Sequence, residues 1–302
     1  MSEVLIIPLP GNEAFAEALS RHLPAELGHL TATAFPDGET HLAIESDVRG
    51  LSVAFVCTLA HPNENTVPLL FAADAARDLG ANRVGLIAPY LAYMRQDRRF
   101  RPGEAITSRT FAKLLSQGFD WLVTVDPHLH RYRSLSEIYS VPTCIMHAAP
   151  LLSSWIKSHV SDPIIIGPDA ESEQWASEIA RDCRAPFTVL EKERLGDREV
   201  RERFRDTIAL VNRTPVLVDD IVSTGATMLV AAQALQAYAR AKPICLAVHG
   251  IFAEDAYPRL TKVFSQIVTS NSVPHLSNAI DIAPMLAESV RALIGKPFPA
   301  KP

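Results

Sequence analysis

The sequence predicts an α/β protein made of two tandem domains of one fold, each with a mainly parallel sheet flanked by helices. Three observations predict this architecture. Short, β-branched and nearly continuous apolar runs alternate with segments of helical period, as in parallel sheets whose strands are buried on both faces. The length of 302 residues is about twice that of a typical domain. The second half of the chain also repeats the strand pattern of the first half.

The individual elements follow from periodicity and from end signals. The strands expected in the first half are 4–7, 53–56, 84–87 and 122–125, and the helices are 12–27, 66–79 and 108–116. Asn12 and Ser108 are candidate N-caps, and Gly80 and Gly118 are candidate helix ends. The strands expected in the second half are 164–166, 216–218 and 244–248, and the helices are 171–182 and 227–241.

The repeat has a predicted register. One strand in each half ends at a proline, Pro89 or Pro168, and a later strand ends in Val-Asp, at Asp126 or Asp219. Pairing these ends places the extra residues of the second copy around 191–205. The predicted domains are 1–147 and 148–302.

Composition excludes several classes of protein. Hydrophobic residues make up 48% of the chain and charged residues 21%, which is typical of a folded globular protein. Charge or proline interrupts each apolar run, and the first residues lack the basic start of a secretory signal. A formal net charge of −5 argues against nucleic-acid binding through phosphate contacts. Because the four cysteines also lack metal or redox spacing, we expect a cytoplasmic protein without membrane or nucleic-acid partners.

The strongest local signal is the run Val216-Leu-Val-Asp-Asp-Ile-Val-Ser-Thr-Gly-Ala-Thr227. A buried strand ends at Asp219 and Asp220, and a short loop and a helix follow. Loop N–H groups, the hydroxyls of Thr224 and Thr227 and the helix N-terminus suit a phosphate monoester, while ionised carboxylates accept hydrogen bonds from sugar hydroxyls. The alternative is an ordinary strand–turn–helix, but ligands bind at this edge of α/β sheets.

This loop resembles the phosphoribosyl-diphosphate signature of type I phosphoribosyltransferases. Five further motifs occur in the order found in ribose-phosphate diphosphokinases, or PRPP synthetases: Phe35-Pro-Asp-Gly-Glu39, Arg95-Gln-Asp-Arg-Arg99, Asp126-Pro-His128, Pro168-Asp169 and Thr269-Ser-Asn-Ser-Val-Pro274. The chain is therefore similar to that family over nearly its whole length. The resemblance implies two phosphoribosyltransferase-like domains. It also implies Mg²⁺-dependent transfer of the β,γ-diphosphoryl group of ATP to the 1-hydroxyl of ribose 5-phosphate, giving PRPP and AMP.

The resemblance further implies a role for each matching residue. Those expected to bind ATP are Phe35, Asp37, Glu39, Arg95, Gln96 and Arg98. Those expected to bind ribose 5-phosphate are Asp169, Asp219, Asp220, Ser223, Thr224, Gly225, Ala226 and Thr227. The implied metal site contains His128 and Asp169, and the implied catalytic residues are Lys192 and Arg194 on a mobile loop followed by Gly196. In the family a neighbouring subunit supplies the segment 35–39, so the resemblance also implies a homo-oligomer.

Some of these roles have alternatives when the residues are considered alone. His128 is equally compatible with a structural histidine at a strand end. Lys192 and Arg194 are compatible with two solvated charges. Asp97 and Arg98 could brace their loop without touching a ligand.

The chain also departs from the family pattern. Ala226 stands where the family usually has glycine, Glu171-Ser172 stands where common bacterial members have a glycine pair, and Arg131 stands where they have glutamine. The Ser-Thr-Gly form of the loop and the stretch 190–197 are more similar to the archaeal branch.

Three other functions are compatible with parts of the sequence. A PRPP-consuming phosphoribosyltransferase would use the loop at 219–227 but leave the segments 35–39 and 95–99 without a role. A non-catalytic PRPP synthetase-associated regulatory protein would not need the Lys192–Arg194 pair or the tandem aspartates. A kinase for a different sugar phosphate is the third.

Overall fold

Two mainly parallel sheets organise the chain, and each belongs to its own unit. In the computed structural model, unit 1 comprises Met1–Met146 with Ala283–Pro302, and unit 2 comprises His147–Ile282. The structure describes residues 4–194, 200–205, 210 and 212–294. The predicted α/β class is thus confirmed. Within the described ranges, no helix combines the length and the apolar character needed to cross a bilayer.

Unit 1 contains a six-stranded parallel sheet and a separate antiparallel hairpin. Its strands are β1 (Val4–Pro8), β2 (Glu26–Leu27), β3 (Leu30–Ala34), β4 (Thr40–Ile44), β5 (Ser52–Val56), β6 (Arg83–Ala88), β7 (Trp121–Val125) and β8 (Thr143–Met146). The spatial order of the sheet is β2-β1-β5-β6-β7-β8, and β3 pairs with β4 alone. All five residues of β7 are buried, as expected for a parallel strand covered on both faces.

Unit 2 contains a seven-stranded sheet. Its strands are β9 (Pro163–Gly167), β10 (Phe187–Arg194), β11 (Val200–Phe204), β12 (Thr214–Val222), β13 (Ile244–Gly250), β14 (Gln266–Ser270) and β15 (Asn278–Ile280). The spatial order is β11-β10-β9-β12-β13-β14-β15. Each neighbouring pair is parallel except β10 and β11, which form an antiparallel hairpin.

Eight α-helices accompany the two sheets in the described part of the chain. They are α1 (Glu13–Ser20), α2 (Pro62–Asp78), α3 (Thr107–Gly118), α4 (Ala149–His159), α5 (Glu173–Cys183), α6 (Ala226–Leu235), α7 (Ala256–Val263) and α8 (Ala283–Ile294). The first helix ends earlier than the predicted range 12–27, because Pro24 cannot continue a helix and Glu26–Leu27 pairs with β1.

The side chains of the two predicted N-caps do not cap their helices. Asn12 occupies the N-cap position of α1, as predicted, but its side chain makes no hydrogen bond to the first turn. Its Oδ1 accepts from the Thr58 N–H at 2.7 Å, and its Nδ2 donates to the Leu9 carbonyl at 3.1 Å. Ser108 lies inside α3, which begins one residue earlier, and its Oγ is 3.3 Å from the Tyr132 hydroxyl. Both side chains bind loops of the tertiary fold instead of a helix terminus.

The last helix, α8, belongs to unit 1, whereas the predicted domain 148–302 includes it with unit 2. It packs against α1, β7 and β8 and buries Leu286, Val290 and Leu293. The Arg291 Nη2 also donates to the His22 carbonyl at 3.0 Å. An amphipathic pattern shows that a helix has a buried face but not which sheet covers it, so the sequence could not assign α8.

Both sheets reverse their strand order at one point. Unit 1 contains the order β2-β1-β5 and unit 2 the order β10-β9-β12. In each unit the second sheet strand therefore pairs on one side of the first strand, and a later strand pairs on its other side. By this topology β9 corresponds to β1, and β12 corresponds to β5. The predicted register, which pairs the ends at Pro89 and Pro168 and those at Asp126 and Asp219, is therefore wrong. Proline ends or directly follows β1, β6 and β9, and Val-Asp occurs in or directly after β7 and β12, so neither signal identified equivalent strands.

Candidate active site

The order reversal in unit 2 places three carboxylates together. Asp219 and Asp220 lie near the carboxyl end of β12, and Asp169 follows the adjacent parallel strand β9. All three residues are partly buried. Ligands of open α/β sheets bind at this edge, at the point where the strand order reverses. The structure thus brings together the three aspartates that the sequence assigned to one ligand.

The charges in this crevice repel each other. Burial raises the pKa of Asp219 well above its ordinary value, and the negative charges of Asp220 and Asp169 raise it further. The Asp220 N–H donates to Asp219 Oδ1 at 3.0 Å, which opposes the rise. A cation, or hydroxyl groups that donate to the carboxylates, would relieve the repulsion.

Asp169 is held by a short turn that the sequence analysis missed. It precedes the 3₁₀ helix Ala170–Ser172, and its Oδ1 accepts from the Ser172 N–H at 3.0 Å. The Ser172 hydroxyl donates to the Asp169 carbonyl at 2.6 Å. A Cβ on Gly167 would lie 2.6 Å from this hydroxyl oxygen, so the turn requires glycine there. The Asp-x-x-Ser spacing was the available signal, and Ser172 is one of the departures from the family pattern.

The loop 223–227 joins β12 to the N-terminus of α6. Gly225 has a φ of 69°, and a Cβ on it would lie 3.0 Å from Leu260 Cδ1, so both conformation and space favour glycine. Thr224, Ala226 and Thr227 are exposed, and Ser223 is partly buried. The loop therefore presents hydroxyl groups and the first turn of a helix to solvent, which suits an anion.

The back of this loop is fixed by the end of β13. The Val222 carbonyl accepts from the Ile251 and Phe252 N–H groups at 2.9 and 3.1 Å. The Ser223 carbonyl accepts from the Ala253 N–H at 3.1 Å. Ala226, which replaces the usual glycine, begins α6, and a helical position favours alanine over glycine.

The segment 35–39 is the turn of the β3–β4 hairpin in unit 1. The Phe35 N–H donates to the Glu39 carbonyl at 2.7 Å, and the Glu39 N–H donates to Asp37 Oδ1 at 3.1 Å. Gly38 has a φ of 92°. Phe35, Asp37 and Glu39 are all exposed, and Phe35 exposes 50% of its surface. The tip thus presents an aromatic ring and two carboxylates to solvent.

The segment 95–98 follows β6 in unit 1. Arg95 and Arg98 are exposed, whereas Asp97 between them is buried. Gln96 Oε1 accepts from the Thr107 hydroxyl at 3.0 Å. The buried Asp97 thus lies between residues that are predicted to contact ATP, and its burial favours a bracing role for it.

His128 follows β7 in unit 1 in a left-handed conformation, with a φ of 53°. Its Nδ1 is 3.1 Å from Nε2 of His130, a residue to which the sequence assigned no role. The two rings meet nearly edge to face, with centroids 4.0 Å apart. His128 and His130 thus pack against each other after β7.

Lys192 and Arg194 lie on a β-hairpin rather than on the expected loop. In the backbone register of β10 and β11, Lys192 is opposite Glu202 and Arg194 is opposite Val200. The side chains of both residues, and the whole of Gly196, lie outside the described part of the chain.

An ion-pair network holds the base of this hairpin. Arg205 Nε donates to Glu191 Oε1 at 2.8 Å, and Arg205 Nη2 donates to Glu173 Oε2 at 3.0 Å. Hydrogen bonding from Arg205 also holds the pKa of the Glu173 carboxyl below its ordinary value. The sequence analysis missed Arg205, because only the strand pairing brings it to both glutamates.

Comparison with known proteins identifies the family. A model of the N-terminal domain of ribose phosphate pyrophosphokinase matches residues 4–118, and a model of the phosphoribosyl transferase domain matches residues 134–271. The ribose-phosphate pyrophosphokinase of Methanopyrus kandleri is 36% identical over 281 residues, which cover 92% of this chain and 95% of that protein. The ribose-phosphate pyrophosphokinase of Sulfolobus acidocaldarius is 33% identical over 270 residues, covering 88% and 92%.

A solved structure agrees with this assignment. The crystal structure of phosphoribosylpyrophosphate synthetase from Mycobacterium smegmatis is similar to this chain with a TM-score of 0.85 and 25% sequence identity. The similarity covers 96% of this chain and 98% of that one. Both units and nearly the full length are therefore matched, and the chain belongs to the ribose-phosphate pyrophosphokinase family of enzymes.

Proposed function

We propose that the protein transfers the β,γ-diphosphoryl group of ATP to the 1-hydroxyl of ribose 5-phosphate in a Mg²⁺-dependent reaction that gives PRPP and AMP. The observation that carries this proposal is the crevice of unit 2, where Asp169, Asp219 and Asp220 gather next to an anion-binding loop. The names of the curated relatives and the match of unit 1 to a ribose phosphate pyrophosphokinase domain support the same reaction.

The crevice suits ribose 5-phosphate by the hydrogen-bonding groups that it offers. Asp219 and Asp220 accept hydrogen bonds from the ribose hydroxyls, because ionised carboxylates are acceptors only. The loop 223–227 binds the 5-phosphate through its hydroxyls and through the N-terminus of α6. The sugar is thereby held at both ends, with the 1-hydroxyl at the carboxylate end.

The carboxylates also fit a divalent cation. Mg²⁺ prefers oxygen ligands, and the mutual repulsion that raises the pKa of Asp219 would be relieved by a bound cation. Asp169 and His128 are the residues we assign to this ion. A Mg²⁺ ion held there would supply positive charge next to the nucleotide phosphate oxygens.

We assign ATP binding to two exposed segments of unit 1. Phe35 offers a ring face for adenine, and Asp37 and Glu39 offer acceptors for its exocyclic amine. Arg95, Gln96 and Arg98 supply the donors of the second segment. The exposure of the hairpin tip supports a homo-oligomer in which this tip completes the nucleotide site of a neighbour.

Lys192 and Arg194 act on the transferring group. Negative charge spreads over the phosphoryl oxygens in the transition state, and two cations on the β10–β11 hairpin stabilise that charge. The anchor of this hairpin at Arg205 sets where it leaves the sheet.

Phosphorus NMR of the protein with ATP, ribose 5-phosphate and Mg²⁺ tests the reaction. The proposal requires AMP and a sugar diphosphate in equal amounts. ADP would indicate an ordinary sugar-phosphate kinase, and the absence of reaction with ribose 5-phosphate still bound would indicate a regulatory relative. Consumption of added PRPP with a purine or pyrimidine base would indicate a phosphoribosyltransferase. An Asp220→Asn sample should lose the product signals, which shows that a contaminant does not make them.

A further inference from the structure

The segment 95–98 is held by residues that follow β7. The side chain of Asp97 is only 2% exposed, and Arg131 Nη1 lies 2.9 Å from its Oδ1 and 3.0 Å from its Oδ2. The adjacent Tyr132 hydroxyl donates to the Asp97 carbonyl at 3.2 Å. Two consecutive residues therefore bind both the side chain and the backbone of Asp97.

The same network reaches the first turn of α3. The Ser108 N–H donates to the Gln96 carbonyl at 3.3 Å, and Arg109 Nε donates to the Tyr132 hydroxyl at 3.3 Å. The Thr107 hydroxyl donates to Gln96 Oε1. The backbone at 96–97 is thus fixed from two sides.

A buried carboxylate needs a cation, because desolvation of an uncompensated charge is costly. Arg131 provides that cation, and no titratable group of the segment 95–98 other than Asp97 is buried. The Arg131 guanidinium also lies 5.6 Å from the centroid of the Phe100 ring, and the Arg98 guanidinium lies 4.9 Å from the same centroid. Arg98 is therefore linked to Arg131 through one exposed ring.

We propose that Arg131 is a positioning residue for ATP, acting through Asp97 on Gln96 and Arg98. The proposal rests on the assignment of ATP binding to the segment 95–98. Without the ion pair, Asp97 would leave its buried position to become hydrated and would carry its two neighbours with it. Arg131 also marks a departure of this chain from the family pattern, so the family motifs alone would not have pointed to it.

Steady-state kinetics of Arg131→Ala test the role. We expect the KM for ATP to rise about tenfold, equivalent to about 1.4 kcal/mol of binding free energy, while the KM for ribose 5-phosphate stays within about twofold. Arg131→Lys should recover part of the loss, because one lysine nitrogen can pair with both carboxylate oxygens, as Arg131 Nη1 does, but lysine lacks the guanidinium that lies beside Phe100. Arg133→Ala removes an equal charge two residues away and should leave the KM for ATP unchanged. A parallel rise of both KM values would indicate general damage to the fold and overturn the proposal.

A double-mutant cycle tests whether Arg131 acts through Asp97. Asp97→Asn keeps the shape of the side chain and removes its charge. In that background, Arg131→Ala should raise the KM for ATP by a much smaller factor than it does in the wild type. An equal rise in the KM for ATP in the two backgrounds would show that Arg131 does not act through Asp97.

Direct binding separates this proposal from the proposed reaction. Isothermal titration calorimetry with ATP and Mg²⁺, without ribose 5-phosphate, should give a weaker affinity for Arg131→Ala than for the wild type. If the wild type makes no AMP but this difference persists, the reaction is wrong and the positioning role stands. If the wild type makes AMP and the two affinities are equal, the positioning role is wrong and the reaction stands. If the wild type binds no ATP, both are wrong.

Discussion

Unit 1 and unit 2 share one strand order but differ in the crevice that this order creates. In unit 2 the crevice contains three carboxylates whose charges repel each other. In unit 1 the corresponding ends of β1 and β5 are bridged by Asn12, which is 4% exposed and bonded to the Leu9 carbonyl and the Thr58 N–H. Topology thus supplies a place for a ligand, and the side chains decide whether that place stays charged or becomes internally hydrogen-bonded.

Each unit also contains a hairpin at an equivalent place in its chain. In unit 1 the hairpin β3–β4 lies between β2 and β5, and in unit 2 the hairpin β10–β11 lies between β9 and β12. The β3–β4 hairpin forms its own two-stranded sheet, whereas β10 continues directly from the main sheet of unit 2 into its pairing with β11. The first hairpin bears the predicted adenine contacts, and the second bears Lys192 and Arg194. We therefore expect mutations in the second hairpin to affect turnover and mutations in the first to affect ATP affinity.

The largest effect is expected in the second hairpin. Lys192→Ala should lower kcat about 10³-fold and leave the KM for ribose 5-phosphate within about twofold, because the role that we propose for the lysine is to stabilise charge that develops in the transition state. Initial rates of AMP formation measure both parameters. Lys157→Ala, an exposed lysine of α4, is the matched control. A raised KM with normal kcat would contradict the assignment.

We expect the charged side chains in the crevice of unit 2 to lower stability and to be needed for activity. Asp219→Asn removes one of three repelling charges, so we expect activity to fall about 100-fold and the free energy of unfolding at pH 7 to rise by on the order of 1 kcal/mol. Thermal unfolding and AMP formation, measured on the same preparation, test the two effects. Asp78→Asn, at an exposed site of α2, should change neither quantity.

The pH dependence of the wild type gives the sign of this effect. Because the pKa of Asp219 is raised in the folded state, that state binds the proton more tightly than the unfolded chain does. The contribution of Asp219 to stability is therefore fully present below the ordinary carboxyl pKa of about 4 and is lost as the pH rises through the raised value. The Asn variant should lack this loss. If the free energy of unfolding of the wild type increased relative to that of Asp219→Asn as the pH rises, the raised pKa of Asp219 would be contradicted.

In the crevice of unit 1, by contrast, removal of the polar side chain should lower stability. Asn12→Ala leaves the buried N–H of Thr58 without its acceptor, so we expect a loss of about 2 kcal/mol in stability, measured by urea unfolding. Asn12→Asp keeps the acceptor but places a carboxylate next to the carbonyl of Leu9. Its stability should improve as the pH is lowered, because a protonated carboxyl can donate to that carbonyl. If the alanine variant were as stable as the wild type, Asn12 would not hold the crevice together.

The smallest effect is expected at the tip of the first hairpin. Phe35→Ala should raise the KM for ATP about tenfold and change the unfolding free energy by less than about 0.5 kcal/mol, because the ring is half exposed. Phe71→Ala removes a ring with the same 50% exposure from α2 and is the matched control. An unchanged KM for ATP would separate the hairpin from the nucleotide site.

The sequence predicts well what is encoded locally. The apolar runs located β1, β5, β6, β7, β9, β12 and β13, because burial on both faces leaves a continuous apolar pattern. The strand–loop–helix run around Asp219 and Asp220 was predictable because its parts are contiguous in the chain, whereas the pairing of β9 with β12 is what brings Asp169 to it.

Features that depend on tertiary packing were not predictable in this way. The register of the repeat requires the strand order, and the position of α8 requires knowledge of the sheet that covers it. The pairs Arg131–Asp97 and Arg205–Glu173 join residues that are far apart in sequence and carry no local pattern. Each of them stabilises a segment that the motifs had identified without explaining what holds it.

The return of α8 to unit 1 has a consequence for biosynthesis. The Arg291–His22 hydrogen bond joins positions 269 residues apart, and the buried face of α8 covers β7 and β8. Domains usually complete their folding in the order in which the ribosome releases them. Here unit 2 is continuous in sequence and is synthesised before α8, so unit 1 still lacks its last helix after every residue of unit 2 has been made. Until α8 is made, the surface of β7 and β8 that α8 covers is open to chaperones or to another nascent chain, and a ribosome stalled near residue 282 would hold unit 1 in that incomplete state.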